Sequence, residues 1–250
     1  MRIGIVVQAR LGSTRLPGKV LRLFDGKRSL LQVLLENLHR VQGTKLIVAT
    51  TDQVHDDKLV EFLRERNELV FRGSENDVLA RFIGAAKAFC VEGIVRVCSD
   101  NPFLDWQSVS ELIEKSRETQ ADYVGFKVGE TPSILTHFGF WGEFVKLDAL
   151  LRVAELTESD TPAHEHVTNY IYSHPQEFHC EWIKCPDFIN EHSCIRLTID
   201  TEQDFLNAQE VYEALNHRAK DFTLKDVVNY VESNERLQVS MEEIINKNKK

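Results

Sequence analysis

A strict alternation of short apolar runs with amphipathic stretches constrains the fold of this chain more than any other feature. Continuous apolar runs of strand length, such as RIGIVVQA (2–9), KLIVAT (45–50) and GIVRVCSD (93–100), are typical of parallel strands buried on both faces. Segments with helical spacing of apolar residues follow them, including SLLQVLLENLHRV (29–41) and SENDVLARFIGAAKAFC (74–90). The alternation predicts an α/β fold with a doubly wound, mostly parallel sheet and right-handed crossovers.

The alternation breaks in the second half of the chain. The segment 125–147 is rich in aromatic residues, Gly and β-branched residues, which predicts antiparallel strands. Residues 163–178 have a helical pattern, and CIRLTID (194–200) is predicted to be a further strand. We therefore expect a single domain over residues 1–250 that carries an insertion at about 125–185.

Composition narrows the class of protein. The 250 residues are 42% hydrophobic, enough for a large core, and the formal charge of −9 disfavours binding to nucleic acid or to an anionic membrane. No apolar stretch approaches the roughly 20 residues that span a bilayer, and the opening MRIGIVVQAR has no small-residue cleavage site, so we interpret it as a strand. Five cysteines without a CxxC pair favour a reduced, cytoplasmic setting.

A cluster of cysteines and histidines in HCEWIKCPDFINEHSC (179–194) raises the question of a metal. The segment holds three cysteines and two histidines, but their spacing matches no common zinc pattern. We interpret the thiols as small packing groups.

The stretch QARLGSTRLPGKVL (8–21) follows the first predicted strand and concentrates positive charge in an acidic protein. Glycines that turn backbone N–H groups inward, together with Arg10, Arg15 and Lys19, make a cradle for phosphate. It is not a P-loop, because Gly12 and Gly18 are one residue too far apart for GxxxxGK[ST]. On composition alone, a solvated turn is an alternative.

Two aspartates end predicted apolar strands. Asp100 closes VRVCSD and Asp200 closes IRLTID, and each could by itself be a simple turn or cap residue. Open parallel sheets bind ligands at the carboxyl ends of their strands, where these carboxylates and the cationic loop can converge. Mg²⁺ prefers one or two carboxylates together with substrate phosphates, so the combination predicts a site for Mg²⁺ and a small phosphate-bearing ligand.

The stretches QARLGSTRLPGKVL, RGSENDVLARF, VRVCSDNPFLD, EHVTNYIY and RLTIDTEQDF resemble the sugar-activating cytidylyltransferases. These are the acylneuraminate and 3-deoxy-manno-octulosonate cytidylyltransferases and their spore-coat-polysaccharide relatives, and the last group is the most similar. The resemblance covers nearly the whole chain. It implies a Rossmann-like nucleotidyltransferase fold (GT-A-like), CTP as substrate, Mg²⁺, and a homodimer.

The resemblance also implies roles for individual residues. Catalytic roles fall to Lys19, Arg10, Asp100 and Asp200, with the two aspartates as metal ligands. The nucleotide-binding set comprises Gln8, Ala9, Arg10, Gly12, Ser13, Arg15, Lys19, Ala49, Thr50, Asp52, Arg72 and Asp77. The insertion would bind the sugar and contribute to the dimer interface, with Trp141, Glu143 and His166 as candidate sugar contacts.

The implied reaction transfers CMP from CTP to an acidic sugar, for cell-surface polysaccharide or glycan biosynthesis. The attacking group would be a hydroxyl of a 2-keto-3-deoxy sugar acid, and pyrophosphate would leave. His164 and His166 are candidates for a general base. Ser99 stands where the family commonly has Gly, and Phe140 and Trp141 stand where smaller residues are common, so the resemblance does not define the sugar.

Two other classes of function stay open at this point. One is a glycosyltransferase of related fold that consumes a nucleotide sugar, although no Asp-x-Asp motif follows a strand here. The other is a non-catalytic nucleotide-binding homologue. The presence of every basic residue of the loop and of both aspartates argues against this alternative.

Overall fold

The computed structural model describes residues 1–159, 161–190, 192, 194–218 and 221–248. The sheet in this part of the chain consists of β1 (Ile3–Gln8), β2 (Lys45–Thr51), β3 (Leu69–Gly73), β4 (Gly93–Cys98), β5 (Tyr123–Val128), β6 (Thr131–Pro132), β7 (Glu143–Lys146) and β8 (Cys180–Lys184). The strand order is β3-β2-β1-β4-β7-β5-β6, and β8 pairs with β5.

Helices cover both faces of this sheet. They are α1 (Leu30–Leu38), α2 (Asp57–Arg64), α3 (Val78–Ala88), α4 (Trp106–Glu118), α5 (Leu147–Leu156), α6 (Pro162–Glu165), α7 (Asn169–Ser173), α8 (Glu202–Arg218), α9 (Leu224–Glu232) and α10 (Glu235–Asn248). One core lies between the sheet and a face that includes α1, α4, α8 and α9, and a second core lies under α3 and α5. None of the helices in the described ranges is both long and apolar enough to cross a membrane.

The sheet order reverses at β1. This strand pairs in parallel with β2 on one side and with β4 on the other, and β2 pairs in parallel with β3. The loops that follow β1 and β4 therefore leave the same edge of the sheet in opposite directions, which opens a crevice at the carboxyl ends of the two strands. The predicted α/β class with a mostly parallel sheet is confirmed.

The region predicted to be antiparallel provides the other half of the sheet. β7 runs antiparallel to both β4 and β5, β6 forms a hairpin with β5, and β8 returns parallel to β5. These elements fall largely within the insertion predicted at about 125–185, and residue 160 of that range lies outside the described residues.

Two local predictions were wrong. The run CIRLTID (194–200) is not a strand. Both edges of β4 are already paired, one with β1 and the other with β7. The Leu197 N–H instead donates to the carbonyl of His137, and the Ile199 N–H donates to the carbonyl of Asp100. Residues 163–178 do not form one helix, because α6 and α7 are separated at Val167, whose φ of 46° is left-handed.

Candidate active site

Lys19 enters the crevice through a sharp turn in the loop after β1. Gly18 has a left-handed φ of 68°, which glycine adopts without steric cost, and its N–H donates to the carbonyl of Leu11 at 3.0 Å. The chain then forms a single 3₁₀ turn over Lys19–Leu21. The Lys19 side chain is only 10% exposed, and its Nζ donates to the carbonyl oxygen of Ile199 at 2.5 Å. It is therefore not a solvated surface lysine.

The structure brings the two predicted metal ligands together around this ammonium group. Lys19 Nζ lies 3.0 Å from Oδ2 of Asp100 and 3.9 Å from Oδ1 of Asp200. Arg15 Nη2 lies 2.9 Å from the same Oδ1 of Asp200. The Ile199 N–H donates to the Asp100 carbonyl at 2.9 Å, which joins the two chain segments at the backbone.

The carboxylate of Asp200 accepts a hydrogen bond from a buried arginine, Arg196, which was not among the site residues predicted from the sequence. Arg196 is 2% exposed, and its Nη2 donates to Oδ2 of Asp200 at 2.8 Å while its Nε donates to Oδ1 of Asp204 at 2.7 Å. Oδ2 of Asp204 accepts from the backbone N–H groups of Asp200 and Thr201 at 3.1 and 2.8 Å. The signal available in the sequence was an arginine inside an apolar run, since a buried charge is paired as a rule.

These contacts change the ionisation of the network. Burial by itself would raise the pKa of Asp204, but the hydrogen bonds and charge of Arg196, together with Thr201, outweigh it and lower that pKa. Burial would lower the pKa of Arg196, and the two aspartates raise it. Asp204 is therefore a carboxylate that fixes Arg196, which in turn orients Asp200.

His137 completes this network. Its Nδ1 lies 2.8 Å from Nη1 of Arg196, and its carbonyl oxygen accepts the N–H of Leu197 at 2.8 Å. Burial, and then the charge of Arg196, lower the pKa of the ring. No feature of the local sequence pointed to this residue.

Arg10 faces a second acidic group at the other end of the loop. Its Nη1 lies 3.8 Å from Oε1 of Glu75, which is also 3.7 Å from Nε2 of His55. A Cβ at Gly12 would lie 3.2 Å from that His55 nitrogen and 3.3 Å from the Glu75 oxygen, so glycine allows the close approach. Buried Asp56 anchors the same loop by accepting the Leu11 N–H at 2.7 Å.

Other residues of the predicted nucleotide-binding set lie around the ends of β1 and β2. Thr50 is buried and donates to Asp56 Oδ2 at 3.1 Å, whereas Asp52 is exposed just after the strand. The hydroxyl of Ser13 accepts the Leu16 N–H at 3.3 Å within the loop. Ala9 and Ala49, also of this set, are buried. The side-chain Oε1 of Gln8 is buried and has no hydrogen-bond partner among the described residues.

Arg72 and Asp77 have local structural partners. Arg72 donates to the carbonyls of Thr51 and Gln53 at 3.0 and 2.9 Å and pairs with an aspartate of α2. Asp77 is the N-cap of α3, where it accepts the Ala80 N–H at 2.8 Å. These contacts leave their nucleotide-binding roles as predictions.

The candidate base His164 is buried, with Nδ1 2.8 Å from Asp77 Oδ1 and Nε2 3.1 Å from the hydroxyl of Thr157. The Nδ1 contact links α6 to the N-cap of α3, and the Nε2 contact links α6 to the C-cap of α5. His166 is exposed at the end of α6. A base role for either residue stays a prediction.

The candidate sugar contact Glu143 lies in a buried ion-pair network. It is 1% exposed and accepts from Arg96 Nη1 at 2.7 Å, from the Tyr123 hydroxyl at 2.6 Å and from the Thr168 hydroxyl at 3.1 Å. Burial, and then Glu143, raise the pKa of Tyr123. The other candidate in this segment, Trp141, is buried among aromatic rings.

The residues present fit a divalent cation between the two aspartates. Oδ1 of Asp100 is buried and has no hydrogen-bond partner in the described part of the chain, as expected of an atom that awaits a ligand. Two carboxylates, completed by the phosphates of a substrate, are a donor set that suits Mg²⁺. No cluster of three or more metal-binding side chains occurs in the described residues, including those of 179–194, of which 191 and 193 lie outside that set.

Comparisons with known proteins identify the family and the fold of this chain. Residues 4–244 match the family model described as "Cytidylyltransferase". The spore coat polysaccharide biosynthesis protein SpsF of Bacillus subtilis is 33% identical over 85% of this chain and 87% of that protein. A 3-deoxy-manno-octulosonate cytidylyltransferase of Alteromonas mediterranea is 29% identical over 45% of each chain. A solved cytidylyltransferase structure from Leptospira borgpetersenii has a TM-score of 0.81 at 27% identity and covers 95% of this chain and 96% of that chain.

The sheet order, the cationic loop and this structural similarity define a nucleotidyltransferase fold. The family match over nearly the whole length is more specific: the chain belongs to the cytidylyltransferase family. The family resemblance and fold predicted from the sequence motifs are thereby confirmed.

Proposed function

We propose that this protein transfers CMP from CTP to a hydroxyl of a sugar acid and releases pyrophosphate, for polysaccharide or glycan biosynthesis. The observation that carries the proposal is the convergence of Lys19 and Arg15 with Asp100 and Asp200 at the carboxyl edge of the sheet. The relatives named above, one in spore coat polysaccharide biosynthesis and one acting on 3-deoxy-manno-octulosonate, support the acceptor class.

The chain's own cations bind the triphosphate. In the absence of ligand, Arg15 and Lys19 are neutralised by the two aspartates and Arg10 by Glu75. An incoming triphosphate offers them stronger partners, because charge-assisted hydrogen bonds to phosphate are short and strong. The same cations stabilise the negative charge that develops on the leaving pyrophosphate.

Asp100 and Asp200 would hold Mg²⁺, which supplies Lewis-acid polarisation of the phosphate when bound. Arg196 keeps Asp200 oriented toward the crevice. In the reaction, the acceptor hydroxyl oxygen forms a bond to the α-phosphorus and the bond from that phosphorus to the bridging oxygen breaks. The hydroxyl proton is released to water, and the protein acts mainly by positioning and by charge stabilisation.

Pyrophosphate release tests the proposal directly. The purified protein is incubated with CTP, Mg²⁺ and either 3-deoxy-manno-octulosonate or N-acetylneuraminate, with ATP, GTP and UTP as comparison nucleotides and EDTA as the metal-free control. We expect release with CTP and one of these acceptors, and none with EDTA. Calorimetry that shows preference for a purine triphosphate would contradict the choice of CTP.

A further inference from the structure

The carboxylate of Glu75 lies between two cationic side chains at the end of the loop that carries Arg10. Its Oε1 is 3.8 Å from Nη1 of Arg10 and 3.7 Å from Nε2 of His55. Both distances are those of an ion pair and exceed the length of a hydrogen bond. Neither contact therefore fixes the carboxylate to one partner.

This cluster packs directly against the predicted phosphate-binding loop. A Cβ at Gly12 would lie 3.2 Å from Nε2 of His55 and 3.3 Å from Oε1 of Glu75. His55 belongs to the single 3₁₀ turn that precedes α2, and the next residue, Asp56, accepts the Leu11 N–H of the loop at 2.7 Å. A ligand bound by the loop would thus lie beside both His55 and Glu75.

Two carboxylates among the described residues lie within 4 Å of the His55 ring, and only one of them shares its charge with the loop. Oδ1 of Asp56 is 3.9 Å from Nε2 of His55, but Asp56 is fully buried. Its two oxygens accept from a backbone N–H of the loop and from threonine hydroxyls of β2, which belong to the fold itself. Glu75 instead pairs with Arg10, one of the cations proposed to bind the triphosphate.

Arg81 of α3 also acts on Glu75, but its charge does not depend on a ligand. Arg81 is 1% exposed, and its Nη1 donates to the carbonyl of Ser74 at 2.5 Å, which fixes the backbone beside Glu75. Burial, and then the charge of Arg10, lower the pKa of Arg81, whereas nearby carboxylates, including Glu75, raise it. The partner that a ligand would remove from Glu75 is therefore Arg10.

Binding of a triphosphate would leave Glu75 without that partner. Arg10 would turn to the phosphates, because charge-assisted hydrogen bonds to phosphate are stronger than an ion pair at 3.8 Å. The Glu75 carboxylate would then face the added negative charge of the ligand. The imidazole of His55 lies 3.7 Å away on a side chain that is 45% exposed, so it can take a proton from solvent and supply the missing positive charge.

We propose that His55 takes up a proton when the nucleotide binds, and that its protonated ring replaces Arg10 as the counter-ion of Glu75. The proton comes from solvent, and it returns there when the ligand leaves and Arg10 pairs with Glu75 again. The inference rests on the proposed function, since it requires a triphosphate as the ligand of Arg10. Because binding takes up a proton, CTP affinity increases as the pH falls through the neutral range.

Calorimetric titration with CTP and Mg²⁺ in two buffers of different ionisation enthalpy counts the protons taken up, at several pH values between about 6 and 8. Uptake by the wild type should exceed that of His55→Gln by up to about one proton, the most that one imidazole can bind. Protons that belong to CTP cancel in this difference. His39→Gln is the matched control, because His39 also pairs with a glutamate, at 2.8 Å, and lies at the end of α1. It should take up as many protons as the wild type.

Glu75→Gln tests the counter-ion separately from the histidine. At about pH 8.5, where an imidazole is largely unprotonated, Glu75 only competes with the ligand for Arg10. We expect this variant to bind CTP about 2- to 5-fold more tightly than the wild type at that pH, the range for an exposed ion pair. The gain should shrink toward pH 6, and proton uptake should fall to that of His55→Gln.

The outcomes distinguish this inference from the proposed function. Equal proton uptake by the wild type and His55→Gln, when both bind CTP, would overturn the inference alone. So would weaker binding of CTP by Glu75→Gln at pH 8.5. Wild-type protein that binds no CTP would overturn the proposed function and the role of His55 with it.

Discussion

Lys19 Nζ lies 3.0 Å from Oδ2 of Asp100, although 81 residues separate the two in the chain. The ammonium group also lies 3.9 Å from Oδ1 of Asp200. It therefore lies between the two carboxylates and neutralises negative charge that a divalent cation would otherwise neutralise. The crevice is therefore electrically balanced before any ligand arrives. Binding of a metal and a triphosphate would exchange these internal pairs for pairs with the ligand.

Replacing Asp100 by Asn should lower turnover at least about 100-fold, because the proposed Mg²⁺ would lose an anionic ligand. We expect the melting temperature to change little, since among the described residues Asp100 has a single side-chain ion pair, with Lys19. Asp200→Asn should lower turnover similarly but destabilise the protein more, because Asp200 contacts Arg15, Lys19 and Arg196. Steady-state kinetics and thermal melts check both variants, and the double variant should lose much less than the sum. Near-normal turnover of Asp100→Asn would refute the metal assignment.

Lys19→Ala should weaken CTP binding or transition-state stabilisation about 10- to 150-fold, the range for a charge-assisted hydrogen bond to phosphate. Lys19→Arg should also bind poorly, because the buried position between Asp100 and the Ile199 carbonyl suits a compact ammonium and not a planar guanidinium. Lys27→Ala, an exposed lysine further along the loop, is the control and should change affinity by less than about 0.5 kcal/mol. The measurement is CTP affinity at fixed salt. Equal CTP affinities of the wild type and the three variants would show that Lys19 does not bind the nucleotide.

Asp204→Asn should lower the free energy of unfolding by about 3 kcal/mol at pH 7, because it leaves Arg196 without its main buried partner. The native pKa of Asp204 is lowered, so its charge stabilises the fold at pH values above about 4, and that contribution is lost as the pH falls through the native pKa. The difference between wild type and variant should therefore shrink below about pH 4. Urea unfolding at pH 7 and at pH 3 measures it, and a difference that stays constant with pH would contradict the role of the charge.

Gly139→Ala should destabilise the protein more than Gly43→Ala. Both glycines have left-handed φ angles, 68° and 73°, but a Cβ at Gly43 meets nothing within 4 Å, whereas one at Gly139 lies 2.9 Å from Asn101 Oδ1. Gly43→Ala thus measures the backbone cost alone, about 1 kcal/mol. Gly139→Ala adds the steric contact and should also reduce activity, since it displaces the segment beside Asp100. Equal losses of stability in chemical denaturation would show that Asn101 moves freely.

Much of the fold could be predicted from the chain because it depends on local pattern. The buried strands β1, β2 and β4 appear as continuous apolar runs, and the rule that ligands bind at the carboxyl ends of parallel strands led from β1 and β4 to Lys19 and Asp100. Asp200 was predicted by the same rule from the run CIRLTID, which is not a strand. The motif resemblance then indicated the cytidylyltransferase family, which the family match confirmed.

Only the tertiary structure decided the partners of the buried charges. The contact of Arg196 with His137 spans 59 residues and that of Arg96 with Glu143 spans 47, and no periodicity encodes such pairs. The same limit explains why CIRLTID was mistaken for a strand. An apolar run reports that a segment is buried, but whether it joins a sheet depends on a free strand edge, and both edges of β4 were already taken by β1 and β7. Burial is thus a property of the local sequence, whereas the choice of hydrogen-bond partner depends on which groups the whole fold brings within reach.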